Sequence, residues 1–200
     1  MPGEVLIIGC GAIGRELARL RELNGWSHVT LRCLPPELHN RPEHIVPALR
    51  AAIEQGIDGF DHVFVAYGDC GSGGAVDRLL GHYGLERLPG AHCYEFLAGT
   101  AAFSALSQVE PGTFYLTDFL VRHFDRLVWR GLGLDRHPRL RDAYFGHYRR
   151  VVYLAQSEDP ELEEAARGHA RALGLDYSRH DCGLGHLDRG LSQRIVQWQS

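Results

Sequence analysis

Cysteines are the residues best able to do chemistry in this 200-residue chain, and there are five: Cys10, Cys33, Cys70, Cys93 and Cys182. Three share one sequence position. Cys10, Cys33 and Cys70 each follow a run of strand-forming residues: Val5-Leu6-Ile7-Ile8, Val29-Thr30-Leu31 and Val63-Phe64-Val65-Ala66. Cys93 follows a histidine in Gly90-Ala91-His92-Cys93-Tyr94-Glu95. Thiolates and imidazoles suit Zn²⁺ or an iron–sulfur cluster. No Cys-x-x-Cys pair is present, so folding must gather any ligand set from distant segments. The expected metal ligands are Cys33, Cys70 and Cys93, completed by His92 or His39, with Zn²⁺ as the leading metal. Cys10, beside an apolar run, reads as a packed side chain, and Cys182 has no expected role. Asp69 and Glu95, next to two of these thiols, are candidates for orienting ligands or moving protons.

Two glycine-rich loops could hold anions. Gly9-Cys10-Gly11-Ala12-Ile13-Gly14 matches the G-x-G-x-x-G pattern between a strand and a helix, so Gly9 and Gly11 are candidates for NAD(P) binding. The acidic residue that pattern expects after the second strand is missing, and Arg32 stands there. Tight packing explains the same glycines. The second loop, from Tyr67 to Gly74, carries Gly71, Gly73 and Gly74 around Asp69 and Cys70. Its backbone N–H groups could form an anion nest and lower the Cys70 pKa. Asn40, Arg41 and Tyr67 would face a substrate at the same rim, and Arg41 with Arg136 would hold an anionic group.

The elements that must position these residues alternate. Strand and helix signals follow one another through the first third, where Ile13, Leu17, Leu20 and Leu23, then Ile45, Leu49 and Ile53, fall at helical spacing. Helices are expected from about Tyr94 to Leu106 and from Asp118 to Trp129. Further strands are expected around Phe114-Tyr115-Leu116, at Val151-Val152-Tyr153-Leu154 and at Leu175-Asp176-Tyr177-Ser178. This is the pattern of a single α/β domain over residues 1–200, a mostly parallel, Rossmann-like sheet with helices on both faces. Its strand ends share one edge, where such sheets bind ligands.

Composition narrows the function. All 21 basic residues are arginines, so lysine Schiff bases and lysine-dependent phosphate loops are excluded. A net charge of −4 gives no basic footprint for nucleic acid, and no apolar run is long enough for a membrane span. An odd cysteine count and no secretory leader pattern point to the cytoplasm.

Several segments together are specific. Cys33-Leu34-Pro35 with Leu38-His39-Asn40, Tyr67-Gly68-Asp69-Cys70-Gly71, His92-Cys93-Tyr94-Glu95, Glu110 through Asp118 and Tyr153-Leu154-Ala155-Gln156 resemble the domain-of-unknown-function family 1638. The resemblance runs from Cys10 to about Leu187. It implies that Cys10, Cys33, Cys70 and Cys93 match family cysteines, and that Gly9 is a local variant. It also implies an association with corrinoid methyltransferase systems for methylated amines and betaines. The leading expectation is a metal-binding enzyme or accessory protein of one-carbon metabolism acting on a small-molecule substrate, with assembly into homo-oligomers left open. A nonenzymatic iron–sulfur, redox or ligand-binding module and an NAD(P)-dependent oxidoreductase are the other readings.

Overall fold

The computed structural model describes residues 3–198. The chain divides into two compact units, residues 3–96 with 184–198, and residues 97–183. Each contains a three-stranded parallel sheet.

In the first unit the strand order is β2 (Val29–Leu34), β1 (Val5–Cys10), β3 (His62–Ala66). Every residue of β1 is buried, as a wholly apolar strand covered on both faces must be. Helix α1 (Gly14–Leu23) packs on one face: a Cβ added to Gly9 would lie 2.5 Å from Leu17 Cδ1. The end of α2 (Ile45–Glu54) reaches the other face, where a Cβ on Gly56 would meet Leu6 Cδ2. Since Leu6 and Gly9 alternate in side along β1, the expected cover on both faces is present. Helix α3 (Ala75–Tyr83) starts after Gly74 and stops at Gly84, both left-handed with φ of +77° and +65°. Helix α4 (Cys93–Ala98) begins at one of the expected ligands. The chain returns to this unit as α9 (Gly185–Gln197), which buries Leu187, Leu191 and Ile195 at four-residue spacing.

The second unit holds α5 (Thr100–Val109), β4 (Thr113–Thr117), α6 (Asp118–Arg122), α7 (Leu140–Phe145), β5 (Arg150–Ala155), α8 (Pro160–Leu173) and β6 (Asp176–Asp181). Its sheet runs β4-β5-β6, and its core joins Val151, Tyr153 and Ala155 to Leu162, Ala166, Ala170 and Leu173 of α8. The side chain of Asp159 caps α8 by accepting from the N–H groups of Glu161 and Leu162, and Pro160 occupies the first turn.

The parallel α/β organisation matches the expectation, but its six strands are shared between two sheets. In the first unit the outer side of β3 is taken by residues 86–88, whose backbone pairs with Val65, so no further strand adds there. The helix expected from Tyr94 to Leu106 is broken at Gly99, whose φ of +81° no helix accommodates. The helix expected from Asp118 to Trp129 ends at Arg122, and residues 125–129 form a π-helical turn.

Candidate metal centre

The strand register decides which cysteines can meet. Gly9 pairs with Cys33 and Cys10 with Leu34. Paired residues of neighbouring strands share a face, and successive residues alternate, so Cys33 and Cys10 point to opposite faces. Cys33 lies on the α1 side, where a Cβ on Gly14 would be 3.2 Å from its sulfur, and it is exposed. On the other side the Sγ atoms of Cys10 and Cys93 and a ring nitrogen of His39 all lie within 4.8 Å of one another. His39 Nε2 is 3.9 Å from Cys10 Sγ.

Local chemistry places each donor. Pro35-Pro36 leads the chain out of β2 into a tight turn, Pro36–Asn40, that ends with His39 turned back toward the sheet. His39 Nδ1 lies 3.0 Å from the Pro36 carbonyl oxygen. A carbonyl only accepts, so Nδ1 carries a proton, and Nε2 is the ring atom turned to the Cys10 sulfur, able to offer a lone pair to a cation once its own proton is displaced. Cys10 Sγ also accepts from the backbone N–H of Ala12, which orients the thiol at the end of β1.

Cys93 is held by a seam between two loops. The Cys70 N–H donates to Ala91 O at 2.8 Å, and a Cβ at Gly68 would come within 3.0 Å of His92 Cα and 3.1 Å of Ala91 O. A side chain there would force the neighbouring backbone to give by a few tenths of an ångström. Glu95 accepts from the Ala91 N–H at 2.7 Å, closing the turn that starts α4. Cys70 itself adopts a left-handed backbone, φ +47°, a conformation that costs a side-chain-bearing residue energy. It makes hydrogen-bonding contacts with Cys93, His39 and His92, beside the three-donor group.

The expected anion nest is built, and its anion comes from the chain. The Asp69 carboxylate accepts from Ser72 Oγ at 2.6 Å and from the N–H groups of Gly73 and Gly74 at 3.2 and 2.8 Å. Gly71, Gly73 and Gly74 all have positive φ, which shapes the loop. The hydrogen bond from Ser72, with those from the two backbone amides, holds the Asp69 pKa below its ordinary value. The Cys70 thiol moves opposite to expectation. Its contact with Cys93 and its burial push its pKa up to about 12, outweighing His39 and His92. Cys93 is also raised, first by Cys10. Crowded sulfurs oppose one another's ionisation. Burial alone would lower the His39 pKa, but hydrogen bonds to Cys70 and Cys93 as thiolates hold it up, at about 10. Three buried thiols and a surface imidazole in one group are poised to exchange protons for a cation.

Tyr67 follows β3 and is 0 % exposed. Its ring stacks on His39, centroids 5.9 Å apart and planes 17° apart, while its hydroxyl makes no hydrogen bond among the described residues.

The other expected residues are placed as follows. Asp69 and Glu95 hold loops and do not point at the sulfurs as free acids or bases. His92 is exposed beside Cys70. Asn40 and Arg41 are exposed at the end of the His39 turn. Arg136 belongs to the second unit, exposed, 3.9 Å from Asp135. Gly9 packs on Leu17, and the space beside Gly11, where a pyrophosphate would approach, is filled by the Leu34 carbonyl and Pro36. Arg32 donates to Ala52 O. Cys10 is the donor that sequence reasoning passed over. The signal lay in the alternation of β1, which turns Cys10 away from Gly9 and Cys33.

The donors fit a divalent metal of zinc type. Zn–S bonds of about 2.3 Å and Zn–N bonds of about 2.0 Å in a tetrahedron separate sulfur from nitrogen by roughly 3.6 Å. The Cys10–His39 spacing of 3.9 Å is close to that. Cys10 and Cys93 are buried and His39 is exposed, so the group opens to solvent on the His39 side.

Comparison with known proteins gives a match over residues 33–191 to the model of one family, described as protein of unknown function (DUF1638). Three of the clustered residues, His39, Cys70 and Cys93, lie inside the matched span and Cys10 lies before it. No curated protein and no solved structure matches the chain.

Proposed function

We propose, for a chain that belongs to the DUF1638 family of proteins of unknown function, that it works through a zinc-type metal centre held by Cys10, His39 and Cys93, with one position open to a small molecule. The observation that supports this reading most is the mutual approach of three metal-binding atoms, within 4.8 Å, from three separate segments. Structural zinc sites close their shell with four protein ligands, whereas catalytic ones keep three and an open position. Here two donors are buried and the third is at the surface, an arrangement suited to admitting a ligand.

Such a metal, when bound, acts as a Lewis acid toward the group that enters the open position. The chain's own residues do the rest. Cys10 and Cys93, having lost their thiol protons to solvent, would hold the cation. His39, fixed by Pro36, offers Nε2. Cys70, which contacts Cys93 and holds a left-handed backbone, would supply a further sulfur to close the shell when no substrate is present. Arg41, exposed at the end of the His39 turn, would serve as the cation for an anionic substrate group.

A thiol is the substrate class this set suits, because borderline metals bind and deprotonate thiols. That chemistry is compatible with methyl transfer to a thiol in one-carbon or methylated-amine metabolism, the setting implied by the family resemblance, with a corrinoid methyltransferase system as the partner. A cluster of iron and sulfide would take cysteine at each corner. With Cys33 on the far face, Cys10, Cys70 and Cys93 favour a single ion.

The test is metal analysis of protein purified without a polyhistidine tag. The expected result is close to one zinc per chain, lost in Cys10→Ser and Cys93→Ser. Less than a few tenths of an equivalent of any transition metal, before and after incubation with Zn²⁺, would end the reading.

A further inference from the structure

Resting on the metal reading, we infer that Tyr67 is a positioning residue: its phenolic hydroxyl donates a hydrogen bond to the Cys10 sulfur once that sulfur is a metal-bound thiolate. The backbone brings the two together. Gly9 pairs with Cys33 on one side and Ala66 on the other, so the next step along both strands sets Tyr67 beside Cys10. Both then share the face away from Gly9, the face on which His39 and Cys93 gather.

The hydroxyl makes no hydrogen bond of ordinary geometry, and its one weak hydrogen-bonding neighbour is the Cys10 sulfur. Tyr67 is 0 % exposed, its oxygen is buried, and it makes no hydrogen bond among the described residues. Buried tyrosine hydroxyls are normally paired, since leaving one unpaired forfeits its bonds to water. Stacking on His39 fixes the ring at the site. Cys10 is within electrostatic reach, as the rise of the Tyr67 pKa through burial and then through Cys10, Cys70 and Cys93 records. Yet a neutral thiol is a weak acceptor.

Metal binding changes that acceptor. The Cys10 S–H proton leaves to solvent, the sulfur lone pair binds the cation, and the thiolate's remaining lone pairs accept strongly. The orphaned donor and the new acceptor then satisfy each other. Outer partners of this kind orient the ligand and draw electron density from sulfur, and their loss typically lowers metal affinity about 10- to 100-fold.

Two signs follow for Tyr67→Phe, which keeps the ring. In metal-free protein the variant loses an unpaired hydroxyl, so its thermal midpoint stays level or rises. With metal, affinity falls by about 10-fold or more. A structural role alone would not move the third readout. In Co²⁺-loaded protein the thiolate-to-cobalt absorption shifts to longer wavelength, because a sulfur without its hydrogen bond gives up charge more easily.

The experiment is Co²⁺ titration of the metal-free full chain and of Tyr67→Phe, followed by absorption and competition with Zn²⁺. Weaker binding with a red-shifted charge-transfer band in the variant supports the assignment. Equal affinity and an unmoved band overturn it while leaving the metal centre standing. Absence of any thiolate-to-cobalt band in the parent protein overturns both.

Discussion

Cys10 and Cys33 end neighbouring strands of one parallel sheet and point to its opposite faces. The first approaches His39 to 3.9 Å, and the second lies against the start of α1, beside Gly14. Two thiols one residue apart in register therefore have unrelated surroundings.

Their serine variants should separate cleanly. Cys10→Ser is expected to weaken Zn²⁺ binding by more than about 100-fold, beyond the usual cost of losing an outer partner. Cys33→Ser is expected to stay within about twofold. Competition against a chromophoric chelator measures both, and equal losses would mean that the wrong face has been assigned.

The crowded thiols predict a loss of stability in alkali. Cys70 ionises near 12 in the folded chain and at an ordinary 9.0 when unfolded. Below pH 9 both states keep the proton and this group is neutral in its effect. Between pH 9 and about 12 the unfolded chain releases its proton first, so metal-free stability falls as pH rises. The slope is on the order of 1 kcal/mol per pH unit. Denaturant midpoints at pH 8, 9 and 10 in chelator should show it, and Cys70→Ser should flatten it.

Gly68 tests whether backbone fit sets the centre. A Cβ there meets His92 Cα and the Ala91 carbonyl, both main-chain atoms that cannot swing aside. Gly68→Ala should push the Ala91–Cys93 turn outward and lower zinc affinity about tenfold, roughly the effect of disturbing an outer shell. No donor atom is removed. Gly81→Ala, with open space around it, is the control expected to bind as the parent does.

In the second unit, Asp118 is buried and accepts from Tyr153 Oη at 2.7 Å, Gln156 N at 3.0 Å and Ser157 Oγ at 2.5 Å. Its own N–H donates to Gln156 Oε1. These bonds tie the end of β4 to the end of β5. Asp118→Ala strands the Tyr153 hydroxyl and the Gln156 amide and should cost about 2–4 kcal/mol. Chemical denaturation gives the value, and a change below about 0.5 kcal/mol would contradict the clamp.

How much of this was legible follows from what each residue depends on. Wholly apolar runs such as Val5–Ile8 and Val151–Leu154 marked the central strands directly, because burial on both faces leaves no room for polar residues. Cys70, Cys93 and His39 were visible as chemistry-bearing residues at strand ends. Cys10 was hidden by its apolar neighbours, and Cys33 was overrated by its position. The difference between them is one step of strand alternation, which sequence carries but which gains meaning only with register. The acidic filling of the glycine loop was likewise hidden. Asp69 and four nearby glycines spell a site for a foreign anion, and only the folded loop shows that its own carboxylate fills it. The break at Gly99 was a local signal, a glycine inside a helical pattern. The partition into two sheets depended on the pairing of Val65 with residues 86–88, which no periodicity announces.

The turn Pro36–Asn40 brings one donor from the surface while two sulfurs stay anchored to the sheet and to α4. Grip and admission are thereby assigned to different stretches of chain. Lengthening, shortening or recolouring that short surface turn would alter which molecules reach the ion and how fast they leave, with the cysteine scaffold untouched. A lineage carrying this framework could change its diet by editing the doorway alone.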